Sequence, residues 1–177
     1  MKIEQLKRIF DFLEEKGEYR APVKWKLINN IPLTKEELNV KGDLDLRFSS
    51  ITSLPEGLKV GGDLSLRGSK ITSLPEGLEV SGDLLLYKSA IESLPKDLIV
   101  RGNLHLQYSS MESLPEGLKV GTNLYLQRSK ITSLPKGLEV GDSLVIDTIQ
   151  LLKYTDKELR DMVKPGFIKG KITRESY

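Results

Sequence analysis

The chain has 177 residues, of which 27 are Lys or Arg and 25 are Asp or Glu, 38% are hydrophobic and none is cysteine. That composition suits one globular body, and a formal net charge of +2 excludes the overall field that draws a protein onto nucleic acid or an anionic membrane. Without cysteine there are no disulfides, thiolate nucleophiles or cysteine metal ligands, which is compatible with a reducing compartment, and a cytoplasmic location is expected.

The opening MKIEQLKRIFDFLEEKGE carries acids throughout and no uninterrupted apolar run, which argues against a secretory signal or a membrane span. Ile3, Leu6, Phe10 and Leu13 share one helical stripe with Ile9 beside it, predicting an amphipathic helix that covers one end of the fold. VKWKL alternates Val23, Trp25 and Leu27 with lysines and reads as a strand of the same lid. Thr34 and Glu37 have capping-box spacing. Residues 1–40 are therefore expected to form an N-terminal cap of helix and strand.

From 41 to 150 the sequence repeats with a period of twenty and no insertion, giving five full units and a partial sixth. Leu44, Leu64, Leu84, Leu104, Leu124 and Leu144 open the units, and Leu46, Leu66, Leu86, Leu106, Leu126 and Ile146 follow two positions later, on one face of a short strand. Ile51, Leu54, Leu58 and Val60 and their counterparts supply the rest of the interior, so no unit closes a core alone and stacking must bury it. Twenty residues cannot hold a strand and a full helix, and the second side is expected to be extended chain or one 3₁₀ turn. Ser53, Pro55 and Glu56 read as the start of such a turn, with Lys96 and Lys136 replacing the glutamate. Gly57, Gly77, Gly117 and Gly137 suit positive φ, a position held by Asp97 in the remaining unit.

After the repeats, Thr155 and Glu158 form a second capping box, opening a short helix that uses Leu159, Met162 and Val163 and stops at Pro165 and Gly166. Lys164, Lys169, Lys171 and Arg174 follow as a basic tail, solvated or in contact with phosphate. Residues 151–177 are read as a C-terminal cap and this tail.

The pattern LxLxxSxIxSLPxGLxV resembles the leucine-rich repeat, in particular the short 20-residue kind with an LPxxL segment found in bacterial effectors and in small phage and bacterial proteins. The resemblance covers residues 41–150 and implies an α/β solenoid: an arc with a parallel concave β-sheet, a helical N-terminal cap and a short helical C-terminal cap. The family's asparagine ladder is serine here, at Ser49, Ser69, Ser89, Ser109 and Ser129, which read as structural. Effectors of this kind often carry a cysteine-dependent ubiquitin ligase domain, an activity that a chain without cysteine does not inherit.

Residues between and after the strand leucines point out of the sheet that the resemblance makes concave, and these are the ones that vary. Between the leucines stand Asp45, Ser65, Leu85, His105 and Tyr125; next come Arg47, Arg67, Tyr87, Gln107 and Gln127; one further on, at the sheet's edge, come Phe48, Gly68, Lys88, Tyr108 and Arg128. Ser65 and Gly68 apart, these are the candidate partner-binding residues, rich in the Tyr and Arg that carry interface energy. At about 4.8 Å between strands the same side chains also suit covering one another. Asp43, Asp63, Asp83, Asn103, Asn123 and Ser143 precede the strands and read as turn residues rather than cation ligands.

Catalysis needs converging groups, and the only histidine, His105, is expected on an open sheet with Ser65, Leu85 and Tyr125 as column neighbours and no acid fixed beside it. The reading is a non-catalytic protein-binding module without cofactor, metal, membrane or small-molecule substrate. By analogy with small phage-type repeat proteins, it takes the form of an inhibitor of a bacterial defence system such as an anti-CRISPR, in bacterial or host cytoplasm. The alternative is a nucleic-acid or nucleoprotein binder, using Arg47, Arg67, Lys88, Arg128 and the basic tail on phosphates and the tyrosines on bases.

Overall fold

A computed structural model describes residues 3–17, 21–147 and 149–174; the outermost residues of both expected caps, and residues 18–20 of the first, lie outside them. The repeats form a β-solenoid of two parallel sheets, with short helices at the chain ends. One sheet, here the valine sheet, is built in order from Asn39–Val40, Lys59–Val60, Glu79–Val80, Ile99–Val100, Lys119–Val120, Glu139–Val140 and Phe167–Ile168. The other, the leucine sheet, is built from Leu44–Asp45, Leu64–Ser65, Leu84–Leu85, Leu104–His105, Leu124–Tyr125, Leu144–Ile146 and Ile172–Arg174. Every pairing between repeats steps by twenty residues, as in Leu64↔Leu84 and Val60↔Val80.

A third, mostly extended side of each coil points Ile71, Leu74 and their counterparts inward, with one isolated bridge, Ser73↔Ser93. The inward leucines, isoleucines and valines of all three sides fuse into one core, with Leu64, Leu66, Leu84, Leu104 and Leu126 fully buried. A strand of two residues is marginal alone and persists because each interior side chain packs on its copies above and below.

Of the two expectations for the second side, extended chain is what is found. Pro95 and Pro135 open tight turns in which the Leu98 and Leu138 amides meet the proline carbonyls at 3.4 Å, in place of a 3₁₀ helix. Gly57, Gly77, Gly117 and Gly137 have φ between 70° and 74° there, as the third residue of a type II turn requires. Asp97 does not: its carboxylate accepts from the Gly77 amide at 2.8 Å and pairs with Glu76, whose pKa that hydrogen bond raises.

The serines do not form a ladder between coils. Ser49, Ser89 and Ser129 each donate to the carbonyl three residues back at 2.7 Å, closing the turn of their own coil. The ladder runs instead along the turn ahead of the leucine strands. Asp43 accepts from the Asp63 amide at 2.8 Å, Asp63 from Asp83 at 2.7 Å and Asp83 from Asn103 at 2.7 Å. Asn103 accepts from Asn123, and Asn123 from Ser143, each at 3.0 Å.

The ends correct three expectations. VKWKL is helical (α2, Val23–Ile28): Pro22 precedes it with extended dihedrals, a start signal that the apolar alternation masks. The turn buries Leu27 on the core and holds Lys26 on Glu37 at 2.8 Å, both side chains under 10% exposed. Thr34 and Glu37 make their reciprocal bonds around a single turn. The first helix (α1, Ile3–Glu15) lies outside the core: Ile3 and Ile9 are exposed, Leu6, Phe10 and Leu13 half-buried, and Phe10 meets Trp25 edge-on at 4.6 Å. α2, not α1, is the lid.

At the other end the chain inserts α3 (Ile149–Leu152) and α4 (Asp156–Met162), the latter opened by the expected Thr155–Glu158 capping box. Leu151, Leu159 and Val163 close the core. The basic stretch then returns as the last strand of each sheet, pairing Glu139↔Phe167 and Leu144↔Ile172, so through Arg174 it is not a free tail. Among the described residues no helix is long and apolar enough to cross a membrane.

Candidate functional site

The outward face of the leucine sheet gathers the candidate residues as the alternation requires. Asp45, Ser65, Leu85, His105 and Tyr125 follow one another across the strands, each paired to the next. Three residues further on the chain turns out of the sheet, and there the backbone is left-handed: φ is 54° at Phe48, 52° at Lys88, 57° at Tyr108 and 54° at Arg128. Gly68 holds the same conformation in its coil, with φ of 63°. For residues with a Cβ this conformation is costly, on the order of 1 kcal/mol each. Four coils nonetheless carry a ring or a long cation where glycine would be the relaxed choice.

Those side chains join into a chain of alternating cations and rings. The Arg67 guanidinium lies 5.6 Å from the Phe48 ring and 5.0 Å from Tyr87; Lys88 lies 5.2 Å from Tyr87 and 5.1 Å from Tyr108; Arg128 lies 5.2 Å from Tyr108. Tyr87 and Tyr108 meet edge-on at 5.2 Å. Such contacts are worth roughly 0.5–1 kcal/mol each at exposed sites, so together they hold long side chains flat along the rim. Phe48 is 72% exposed and Tyr108 37%, leaving ring surface uncovered.

The ends of this row are closed by acids. Arg47 is held by Asp45, its Nε donating at 2.9 Å and its Nη2 at 2.8 Å while the Arg47 amide donates at 3.0 Å. Those bonds lower the Asp45 pKa to about 2. At the far end Asp147 accepts from the Arg128 amide and lies 3.9 Å from its guanidinium. Asp147 is a face residue that the sequence reading missed; it stands twenty positions after Gln127 in the partial last unit, so the register alone locates it.

His105 stacks on Tyr125 with centroids 4.5 Å apart and planes 7° from parallel, while its Nε2 lies 3.9 Å from Asp83. Burial under this stack holds its pKa below 6.5, against the opposing pull of Asp83, a Gln107 contact at 3.4 Å, and Asp63. Mutual cover is thus real for His105 and Tyr125. Gln127 is 2% exposed and Gln107 half-buried, and the side-chain oxygens of both lack a hydrogen-bond partner. Gln127 therefore supports the face without presenting itself on it.

Two adjoining shallow hollows lie on this face. One, of about 320 Å³, is bounded by Asp43, Asp45, Arg47 and Arg67; the next, of about 200 Å³, is lined by Arg67, Leu85, Tyr87, His105 and Gln107. Arg67 and Leu85 belong to both. The surface is open, with a floor of Leu85 and a cationic, aromatic rim. The pre-strand aspartates along the opposite rim are bound to backbone amides of the next coil.

No protein-family model, curated protein or solved structure matches the chain.

Proposed function

We propose that the chain is a non-catalytic binding module of the leucine-rich-repeat kind that engages a partner protein through the outward face of the leucine sheet. The observation that carries this reading is the row from Phe48 to Arg128: rings and cations mutually held, four of them at left-handed positions, with Phe48 and Tyr108 exposed. Pre-ordered aromatic and arginine side chains lose little freedom on binding, which is what makes such residues interface anchors. The chemistry nearby favours binding over turnover. His105 is stacked on a ring, and Ser49, Ser89 and Ser129 donate their hydroxyl protons to backbone carbonyls, far from a nucleophile-and-base arrangement. An inhibitor that occludes its partner, as in the anti-CRISPR analogy, is the form this module takes on the likeness of its repeat alone.

The nucleic-acid alternative has less support. Arg47 and Arg128 are each engaged by a carboxylate, and Asp43, Asp63 and Asp83 line the opposite rim, where a long polyanion would meet them. The test is affinity capture from nuclease-treated bacterial lysate, comparing the wild type with a folded triple variant, Tyr87→Ala, Tyr108→Ala and Tyr125→Ala. A protein retained by the wild type and lost by the variant is expected. Retention that vanishes with nuclease, or that the variant leaves intact, overturns the reading.

A further inference from the structure

The proposed face is not uniform in charge, and its uneven part specifies what kind of protein segment it takes. Four cations stand on the rim, at 47, 67, 88 and 128. Two of them meet a carboxylate: Arg47 on Asp45 and Arg128 beside Asp147. The middle two, Arg67 and Lys88, meet rings only, and both lie against the one ring of Tyr87, at 5.0 and 5.2 Å. Among the described residues no acid forms an ion pair with either. Neither charge is neutralised, and an acidic side chain brought to either side of the Tyr87 ring meets a donor that the ring already holds in place. The hollow of about 200 Å³ that Arg67 and Tyr87 line has Leu85 as its apolar floor.

We infer that the middle of this face docks an acidic segment of the partner protein, with its carboxylates meeting Arg67 and Lys88 and a neighbouring apolar side chain on Leu85. This rests on the protein-binding reading above and narrows it. The acid-closed ends at Asp45 and Asp147 limit the site to the middle coils and disfavour a segment that is acidic along its whole length.

The experiment selects 12-mer peptides from a random display library on the folded full chain, then measures the winners by fluorescence anisotropy across a salt series. Selected peptides are expected to place Asp or Glu beside an apolar residue and to lose about tenfold or more in affinity to the double variant Arg67→Ala, Lys88→Ala. A second variant separates binding from folding. Lys88→Gly removes the cation at a left-handed position that glycine occupies in the preceding coil, so it should weaken binding several-fold while the urea midpoint holds or rises. Winners without acidic enrichment that still depend on Tyr87 and Tyr108 overturn the acidic specificity and leave the protein-binding face standing. Winners indifferent to all four side chains overturn both. A fluorescein-labelled single-stranded oligonucleotide that binds more tightly than any selected peptide, with loss on the same double variant, assigns the two cations to phosphate and also overturns the inference.

Discussion

Replacing Asn103 by alanine tests whether the pre-strand column, rather than the serine column, locks the coils in register. The Asn103 side-chain oxygen accepts from the Asn123 amide at 3.0 Å, the Thr122 hydroxyl at 2.7 Å and the Asn123 side-chain amide at 2.9 Å. Its own Nδ2 donates to both Asp83 oxygens, at 3.0 and 3.1 Å. Asp43, at the first coil, accepts one bond, from the Asp63 amide, and is exposed. At about 0.5–1.5 kcal/mol net per hydrogen bond, with partial replacement by water at this half-buried site, Asn103→Ala should cost about 2–3 kcal/mol and Asp43→Ala at most about 1. For a chain of this size that is about 4–12 °C in Tm against a few degrees at most. Urea unfolding should be followed both by circular dichroism and by the fluorescence of Trp25, the only tryptophan, which reports on the N-terminal end. Coincident transitions with an unchanged slope and a lower midpoint are expected. If the two variants fall within about 0.5 kcal/mol of one another, the column is decoration and the interior leucines alone set the register.

Three further outcomes follow from the same packing. A Cβ at Gly121 would lie 1.9 Å from the Arg101 carbonyl oxygen, so Gly121→Ala should separate two coils and cost about 3 kcal/mol or more, whereas Gly42→Ala, in open space, should be near neutral by urea titration. Glu37→Gln removes the buried carboxylate that Lys26 meets at 2.8 Å and should cost about 1.5–3 kcal/mol, while Lys26→Met with Glu37→Leu should recover most of it in thermal melts. His105 is held below 6.5 in the folded chain, so the unfolded chain binds more protons, and stability should fall as pH drops below about 6.5. His105→Phe keeps a ring on Tyr125 and should flatten that part of the pH profile; a profile identical to wild type refutes the assignment.

The repeat made the solenoid, its period and its interior legible, because Leu44, Leu46 and Val60 recur at phases that only stacked coils satisfy. The ends were less legible because tertiary contact decided them. The Val23, Trp25 and Leu27 alternation fits a strand as well as it fits α2, and only the buried Lys26–Glu37 pair and Leu27 on the core show which forms. Nor did periodicity distinguish a basic tail from the last strands, since the insertion of α3 and α4 stretches the final step from 139 to 167, out of phase with the preceding twenty. On the face, the columns were readable but their internal pairing was not. Which cations are neutralised depends on side chains two residues apart in one coil, as for Asp45 and Arg47, or nineteen apart across coils, as for Arg128 and Asp147.

One covariation within the repeats shows how that physics is written into the letters. Where the ladder residue is aspartate, the next coil carries glycine just ahead of its own ladder residue: Asp43 with Gly62, Asp63 with Gly82, Asp83 with Gly102. A Cβ at those glycines would fall 2.1, 2.2 and 2.4 Å from the carboxylate oxygen, too close for any side chain. Where the ladder residue becomes Asn103, the position holds Thr122, whose hydroxyl donates to the asparagine oxygen at 2.7 Å. After Asn123 it holds Asp142. The glycines of the first coils therefore answer to the aspartates they face and to the preceding coil's backbone, which a Cβ would meet at 2.6–2.9 Å, rather than to a left-handed turn, for none of the three has positive φ. The same switch from aspartate to asparagine removes the acid rim from the C-terminal coils of the leucine sheet. Ladder chemistry thus sets the charge on one side of the face while the row of rings and cations sets it on the other, and the unneutralised Arg67 and Lys88 stand in the coils of Asp63 and Asp83, just before the switch.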